Sequence, residues 1–263
     1  MRRDRALAAL LAGVSLGASA AASARSAPRS AAAPAVLSVS ASGTVSRVTF
    51  PGTAGQTWRQ AGLSVTFGNP RRTVFETEIE AESRAATDVR ISARATTRTA
   101  HGAYYVGGAV TPHAVFHDQW RVVAGGEARI GSRLQGSLDV RVARYRSGLT
   151  AGVEPALALR AGPTLTLTAR AINLFDGSGQ YRAGAALRAD FAPRGAAAWF
   201  VSAARYPDRE EDGVRQLSAV AAGVRADLGA HWQVRLTAAH EQRAHSYRRR
   251  SIGLALSYRP DPR

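Results

Sequence analysis

The sequence contains no cysteine and no lysine. An exported soluble domain often relies on disulfides, whereas a large β-barrel closes its own hydrogen-bond ladder and needs none. No stretch approaches the roughly 18 apolar residues required by a membrane-spanning helix. No segment follows a helical period, no Pro/Gly linker divides the chain, and no glycine loop is placed to cradle phosphate between a strand and a helix. The six histidines (His101, His113, His117, His231, His240 and His245) lack helical metal-ligand spacing, so neither metal nor cofactor is expected. His117-Asp118, with Ser132 further along, is the nearest approach to a hydrolase triad, and polar loop residues explain it equally well. A barrel-embedded hydrolase of envelope lipid is therefore the least favoured reading, and the chain is read as a non-enzyme.

The formal charge is +16, with 35 arginines against 19 acids. Such an excess often marks a nucleic-acid binder. Here the arginines are spread through nearly every strand-like run, mostly on its polar side, instead of gathering in one patch. Export points the same way. Arg2, Arg3 and Arg5 precede a short apolar segment from Ala6 to Ala18, and small-residue cleavage sites follow at Ala18-Ser19-Ala20 and Ala22-Ser23-Ala24. Residues 1–24 are expected to be a signal peptide, 25–35 a flexible Ala/Ser/Pro leader, and 36–260 a single domain. Nucleic acid is not an expected partner. Outer-membrane lipid, acidic lipopolysaccharide head groups and the barrel-assembly machinery are.

What the chain does contain is alternation. Trp232, Val234, Leu236 and Ala238 interleave with Gln233, Arg235 and Thr237; Ile252, Leu254, Leu256 and Tyr258 interleave with Ser251, Gly253, Ala255 and Ser257. A side-chain period of two is a β-strand. The same pattern runs through the sequence and predicts strands near 36–50, 57–68, 73–84, 89–99, 102–112, 119–130, 134–147, 151–161, 164–175, 180–192, 197–206, 214–228, 231–243 and 247–259. The fold class expected is all-β: a transmembrane, antiparallel, up-and-down β-barrel of about 14 strands, with 12 as the alternative count.

Tight connections at Asn69-Pro70-Arg71, Ala100-His101, Gly131-Ser132, Gly162-Pro163, Pro193-Arg194-Gly195 and Gly229-Ala230 alternate with longer polar ones, chiefly 51–56, 113–118, 176–179 and 207–213. That asymmetry belongs to an outer-membrane barrel, and an even strand count puts both termini on the short-turn, periplasmic side. Phe50, Trp58, Phe67, Tyr104, Trp120, Phe175, Tyr181, Phe191, Trp199, Tyr206, Trp232, Tyr247 and Tyr258 fall near strand ends, where interfacial girdles form. Gly107-Gly108 and Gly125-Gly126 read as bends or places of close packing.

The polar face of the alternation is charged. Glu76, Glu78, Glu80 and Glu82 share one face of their strand, and Arg90, Arg94 and Arg98 share the polar face of the next. Stacked like charges need opposite charges across the hairpin, so these rows predict a structural charge ladder inside the lumen. Arg121, Glu127, Arg129, Asp139, Arg141, Glu154, Arg160, Arg170, Arg182, Arg188, Asp190, Arg225 and Asp227 are expected to face the lumen as well.

Several segments resemble the YaiO family of outer-membrane β-barrel proteins. They are Trp120-Arg121-Val122, Leu138-Asp139-Val140-Arg141 with Arg144-Tyr145, Leu228-Gly229-Ala230-His231-Trp232, His240-Glu241-Gln242, Tyr247-Arg248-Arg249, and Leu254-Ala255-Leu256-Ser257-Tyr258-Arg259. The resemblance implies outer-membrane location and a link to surface polysaccharide; it implies no catalytic residues. Barrels of this kind usually finish on an aromatic residue, and here Tyr258 is followed by Arg259 and Pro260. The functional expectation is an integral barrel with a structural or transport-accessory role. A small-solute or polysaccharide-export pore is the alternative.

Overall fold

A computed structural model of the chain describes residues 35–177, 179–193, 197–210 and 213–260. The expected signal peptide and nearly all of the leader lie outside these residues. Fourteen strands follow in order: β1 (Ala35–Thr49), β2 (Gln56–Gly68), β3 (Thr73–Ser83), β4 (Thr87–Arg98), β5 (Gly102–Val110), β6 (Trp120–Arg129), β7 (Leu134–Tyr145), β8 (Gly148–Arg160), β9 (Leu165–Asp176), β10 (Tyr181–Phe191), β11 (Ala197–Glu210), β12 (Gly213–Leu228), β13 (Trp232–Arg243) and β14 (Tyr247–Tyr258). Each pairs antiparallel with its sequence neighbours, and β1 pairs with β14 to close the barrel. Every strand thus has two partners and no edge is left open, as lipid requires of any backbone crossing it.

Register sorts the side chains into two sets. Across β12, β13, β14 and β1, Val224, Leu236, Leu254 and Gly43 line up on one face, and Arg225, Arg235, Ala255 and Ser42 on the other. The first set points outward: Leu236 is 48% exposed, Leu254 54% and Ile252 65%. An apolar surface of this extent around a whole molecule fits lipid, not water. All the lumen-side charges expected from the sequence share the inward parity.

The connections divide between two rims. The near rim carries Ala35, Tyr258 and the turns after even-numbered strands, and the far rim carries the connections after odd-numbered ones. The expected length asymmetry is only partly present. The 50–55 and 111–119 connections are long, but β11 and β12 stay paired out to Glu210 and Gly213, so residues 207–210 and 213 of the loop anticipated at 207–213 belong to strands.

The girdle also needs correction. Phe67, Phe75, Tyr104, Phe191, Trp199, Trp232 and Tyr258 ring the near rim on the outer face, with Phe67 against Phe75 at 5.5 Å and Trp232 against Tyr258 at 5.0 Å. Trp58, Tyr206 and Tyr247 instead point into the lumen and are buried, with Phe50 packed beside Trp58 and Tyr247.

Two glycine placements follow from packing. Gly125 stands between Tyr105 and Asp139 in the register, and a Cβ there would meet both side chains at 2.7 Å. The missing side chain lets the Tyr105 hydroxyl reach across β6 and donate to Asp139. On the outer face the neighbouring Gly126 accommodates the Tyr104 ring, 2.7 Å from where its Cβ would be.

Candidate functional site

Buried polar side chains converge in the lumen, and its two halves differ. Apart from Ala156 near mid-strand, the buried side chains among the described residues lie in the far half: Val48, Trp58, Glu80, Glu82, Asp88, Arg90, His117, Asp118, Arg182, Tyr206, Leu217, Glu241, Arg243 and Tyr247 among them. Lumen-facing residues toward the near rim, such as Ser40, Thr66, Arg188, Arg225 and Arg235, keep partial exposure. The interior is a wet vestibule narrowing into a packed constriction.

That constriction is built around the 111–119 connection, which folds inward against β2–β4. The Asp88 carboxylate, 1% exposed, accepts hydrogen bonds from the backbone amides of Val115 (2.8 Å), Phe116 (2.9 Å) and His117 (2.8 Å). A carboxylate satisfied by several amides holds a loop far more firmly than apolar contact alone. His117 Nε2 lies 3.2 Å from Glu82 Oε2, and Arg84 donates to the same carboxylate at 2.7 Å. The Arg84 guanidinium is sandwiched between the rings of Trp58 (4.1 Å) and Phe116 (4.2 Å). Burial pushes its pKa down from the ordinary value while Glu82 opposes that shift, and an arginine so placed stays charged. The Arg249 guanidinium lies 5.4 Å from the centroid of the Trp58 ring, with its Nε donating to Ser46 at 3.1 Å.

The register shows how the Glu and Arg rows meet. Glu76 faces Arg94 and Glu80 faces Arg90, but Glu78 faces Ser92 and Glu82 faces Asp88. Glu80 and Arg90 form a buried ion pair at 2.7 Å. Arg94 instead lies over the Tyr105 ring, 3.6 Å from its centroid. Glu82 is held by Arg84 and His117, and Arg98 sits at the near end of β4, beyond the four glutamates. Between the two rows the direct rung is Glu80–Arg90, while Glu82 and Arg94 are drawn to neighbouring groups.

A second network spans β5 to β9. Arg170 Nη1 donates to Asp139 at 2.6 Å and to Glu154 at 3.0 Å, and Arg141 lies 3.3 Å from Glu154. The near half of the opposite wall is different. Arg225 and Arg235 are direct cross-strand partners, and neither has a carboxylate partner among the described residues. Asp190, the acid on β10, is taken by Arg188 at 2.8 and 2.6 Å, and Asp227 by Gln233 at 2.7 Å. Positive charge is thus left uncompensated on that wall.

The residues that came nearest to a hydrolase triad in sequence are not brought together. His117 precedes β6 and Ser132 follows it, so they occupy opposite rims, about 30 Å apart at the ordinary rise of a strand. Among the described residues no group of three or more His, Asp or Glu could hold a metal. An apolar groove of about 980 Å³ lies on the lipid-facing surface over small residues such as Ala124, Gly136 and Ala171, outside the lumen.

Sequence reasoning found the lumen charges by parity but missed Asp88, which it placed in a turn, and the inward fold of 111–119. Trp58 carried a usable signal: it shares the parity of Gln60, Gly62 and Ser64.

No family model and no curated protein matches this chain in sequence. Solved structures do match its fold. The CymD monoaromatic hydrocarbon channel superposes with a TM-score of 0.63 at 7% identity, covering 87% of this chain and 89% of that one. A bacterial polysaccharide outer membrane secretin does so at 0.55 and 10% identity, covering 86% and 99%. The translocator domain of the autotransporter NalP from Neisseria meningitidis gives 0.50 at 13% identity, over 86% and 88%. At such identities the likeness is one of architecture. The chain has the fold of the bacterial outer-membrane β-barrels.

Proposed function

We propose that this barrel is a passive outer-membrane channel for small polar solutes with a modest preference for anions. Its near rim faces the periplasm and its constriction faces outward. The observation that carries the reading is the vestibule wall at Arg225 and Arg235. A polar vestibule with an uncompensated pair of guanidinium groups lowers the entry barrier for anions and raises it for cations. The fold likeness to channels supports a pore.

The test is planar-bilayer recording of the purified barrel under a tenfold KCl gradient. Single-channel steps of low conductance and a reversal potential on the anion-selective side are expected. Arg225→Gln with Arg235→Gln should move that potential toward zero while leaving the steps in place. Absence of steps from a folded barrel would refute the channel.

A second reading, a transport-accessory barrel serving surface polysaccharide, rests on the YaiO-like segments. Loss of surface polysaccharide in a deletion strain, with no conductance from the protein, would favour it.

A further inference from the structure

The outward face of the strands carries no acidic side chain among the described residues, and its arginines are confined to one rim. From β1 to β14 the outward positions are apolar or small through the middle and aromatic at the near rim. The charged exceptions are Arg47, Arg59, Arg144, Arg205, Arg248 and Arg250, all exposed and all toward the far rim, where the uncharged polar residues Asn173, Gln216 and Gln242 and the imidazole of His240 also face outward. Most lie on one continuous stretch of wall. Arg250 is the direct cross-strand partner of both Arg47 and His240, and Arg248 is that of Gln242. Gln242 continues through Ser218 to Arg205, and Arg59 stands two residues from Thr57, the partner of Arg47. The same stretch of far rim has no outward aromatic. Trp120, Phe175 and Tyr181, the outward aromatics of that rim, are on β6, β9 and β10.

Two arginines placed directly opposite each other on an exposed sheet face repel. Among the described residues no carboxylate on that face offsets them. The apolar strip beneath, from Ile252 to Tyr258 on β14, fixes their depth: from Arg250 to Tyr258 is eight residues, about 26 Å along the strand and about 20 Å of thickness once tilted. With the near-rim aromatics at one interface, the arginines stand at the head-group level of the other. An arginine fork matches the geometry of a phosphate bidentately, and phosphate is an anion of the head-group level.

We propose that the Arg47–Arg250 pair, flanked by Arg59 and Arg248, is a docking site for the phosphate groups of a glycolipid in the outer leaflet. The site anchors one wall of the barrel electrostatically, where the opposite wall uses aromatic rings. It is independent of whether the lumen conducts.

Native mass spectrometry of the detergent-solubilised barrel tests this, with bisphosphorylated lipid A as the probe and its dephosphorylated form, bearing the same acyl chains, as comparison. Wild type should retain the bisphosphorylated lipid about tenfold or more in preference to the other. Arg47→Gln with Arg250→Gln should bring that ratio close to one. Arg71→Gln with Arg72→Gln removes the same charge from a near-rim turn and should leave the ratio intact. Folding of each variant is checked by heat-modifiable gel mobility, and glutamine at these exposed positions relieves repulsion instead of creating a cavity. Equal retention of the two lipids by wild type would overturn the proposal. So would an unchanged preference in the Arg47/Arg250 variant, or an equal loss in the Arg71/Arg72 variant, which would reduce the effect to net charge.

Discussion

Removing the Asp88 carboxylate should release the 111–119 connection from the lumen. Three backbone amides converge on that one group, and each hydrogen bond to a charged acceptor contributes about 1.5–3 kcal/mol. The gross loss in Asp88→Ala is offset because the freed amides regain water once the segment swings out. The net bias against the folded-in position is then about 3–5 kcal/mol, the usual result of stripping one side of a buried charged contact. At about 3 kcal/mol the ratio of released to folded-in segment rises roughly a hundredfold. Asp88→Asn keeps one acceptor oxygen without the charge and should shift the balance by about 1–2 kcal/mol. Two readouts apply to the same reconstituted barrels: single-channel conductance, and chymotrypsin cleavage at Phe116. Both should increase in the order wild type, Asp88→Asn, Asp88→Ala. If Asp88→Ala leaves Phe116 protected and conductance unchanged, the cluster of Trp58, Arg84 and Phe116 holds the segment without Asp88 and the reasoning fails.

Leu254→Arg should impair insertion by about 2–4 kcal/mol, whereas Ala255→Arg, one residue on and facing the lumen, should be tolerated. Heat-modifiable mobility and urea unfolding in lipid compare the two, and equal behaviour would mean that the faces are misassigned. A double-mutant cycle on Glu80→Gln and Arg90→Gln should give a coupling of about 1–3 kcal/mol, because the pair is buried and in contact. The cycle on Glu78→Gln and Arg98→Gln, residues of the same rows that are not register partners, should be additive within about 0.5 kcal/mol.

Most of the architecture was legible because lipid outside and water inside impose one period on every strand. Strand ends such as those of β3 and β13 follow directly from where that alternation stops. It stops being informative above the membrane. Pro207-Asp208-Arg209-Glu210 looks like a loop because nothing there must be apolar, yet the β11–β12 ladder continues through it. The charged rows were visible as rows, but their pairing depends on register. A shift of one rung decides that Glu82 faces Asp88 instead of an arginine. Trp58, Tyr206 and Tyr247 were assigned to a girdle from their place near strand ends, although the parity that sorted the charges also turns them inward. The constriction was beyond reach for a different reason: it rests on contacts between a nine-residue connection and a carboxylate more than twenty residues earlier, with no local pattern to announce it.

The β1–β14 seam bears on the order of assembly. Thirteen of the fourteen strand interfaces join neighbours in sequence and can form as hairpins, over loop closures of nine residues or fewer. The last runs for eleven paired residues, from Val39 with Tyr258 to Thr49 with Arg248, and it includes a hydroxyl contact between Ser40 and Ser257, 217 positions apart. Chain entropy makes a contact of that separation the slowest to gain. Until it forms, β1 and β14 each expose a long row of unpaired amides and carbonyls, a template for any other strand. Any sheet of these strands that lacks the β1–β14 ladder would carry two adhesive edges, and closing that one ladder removes both at once.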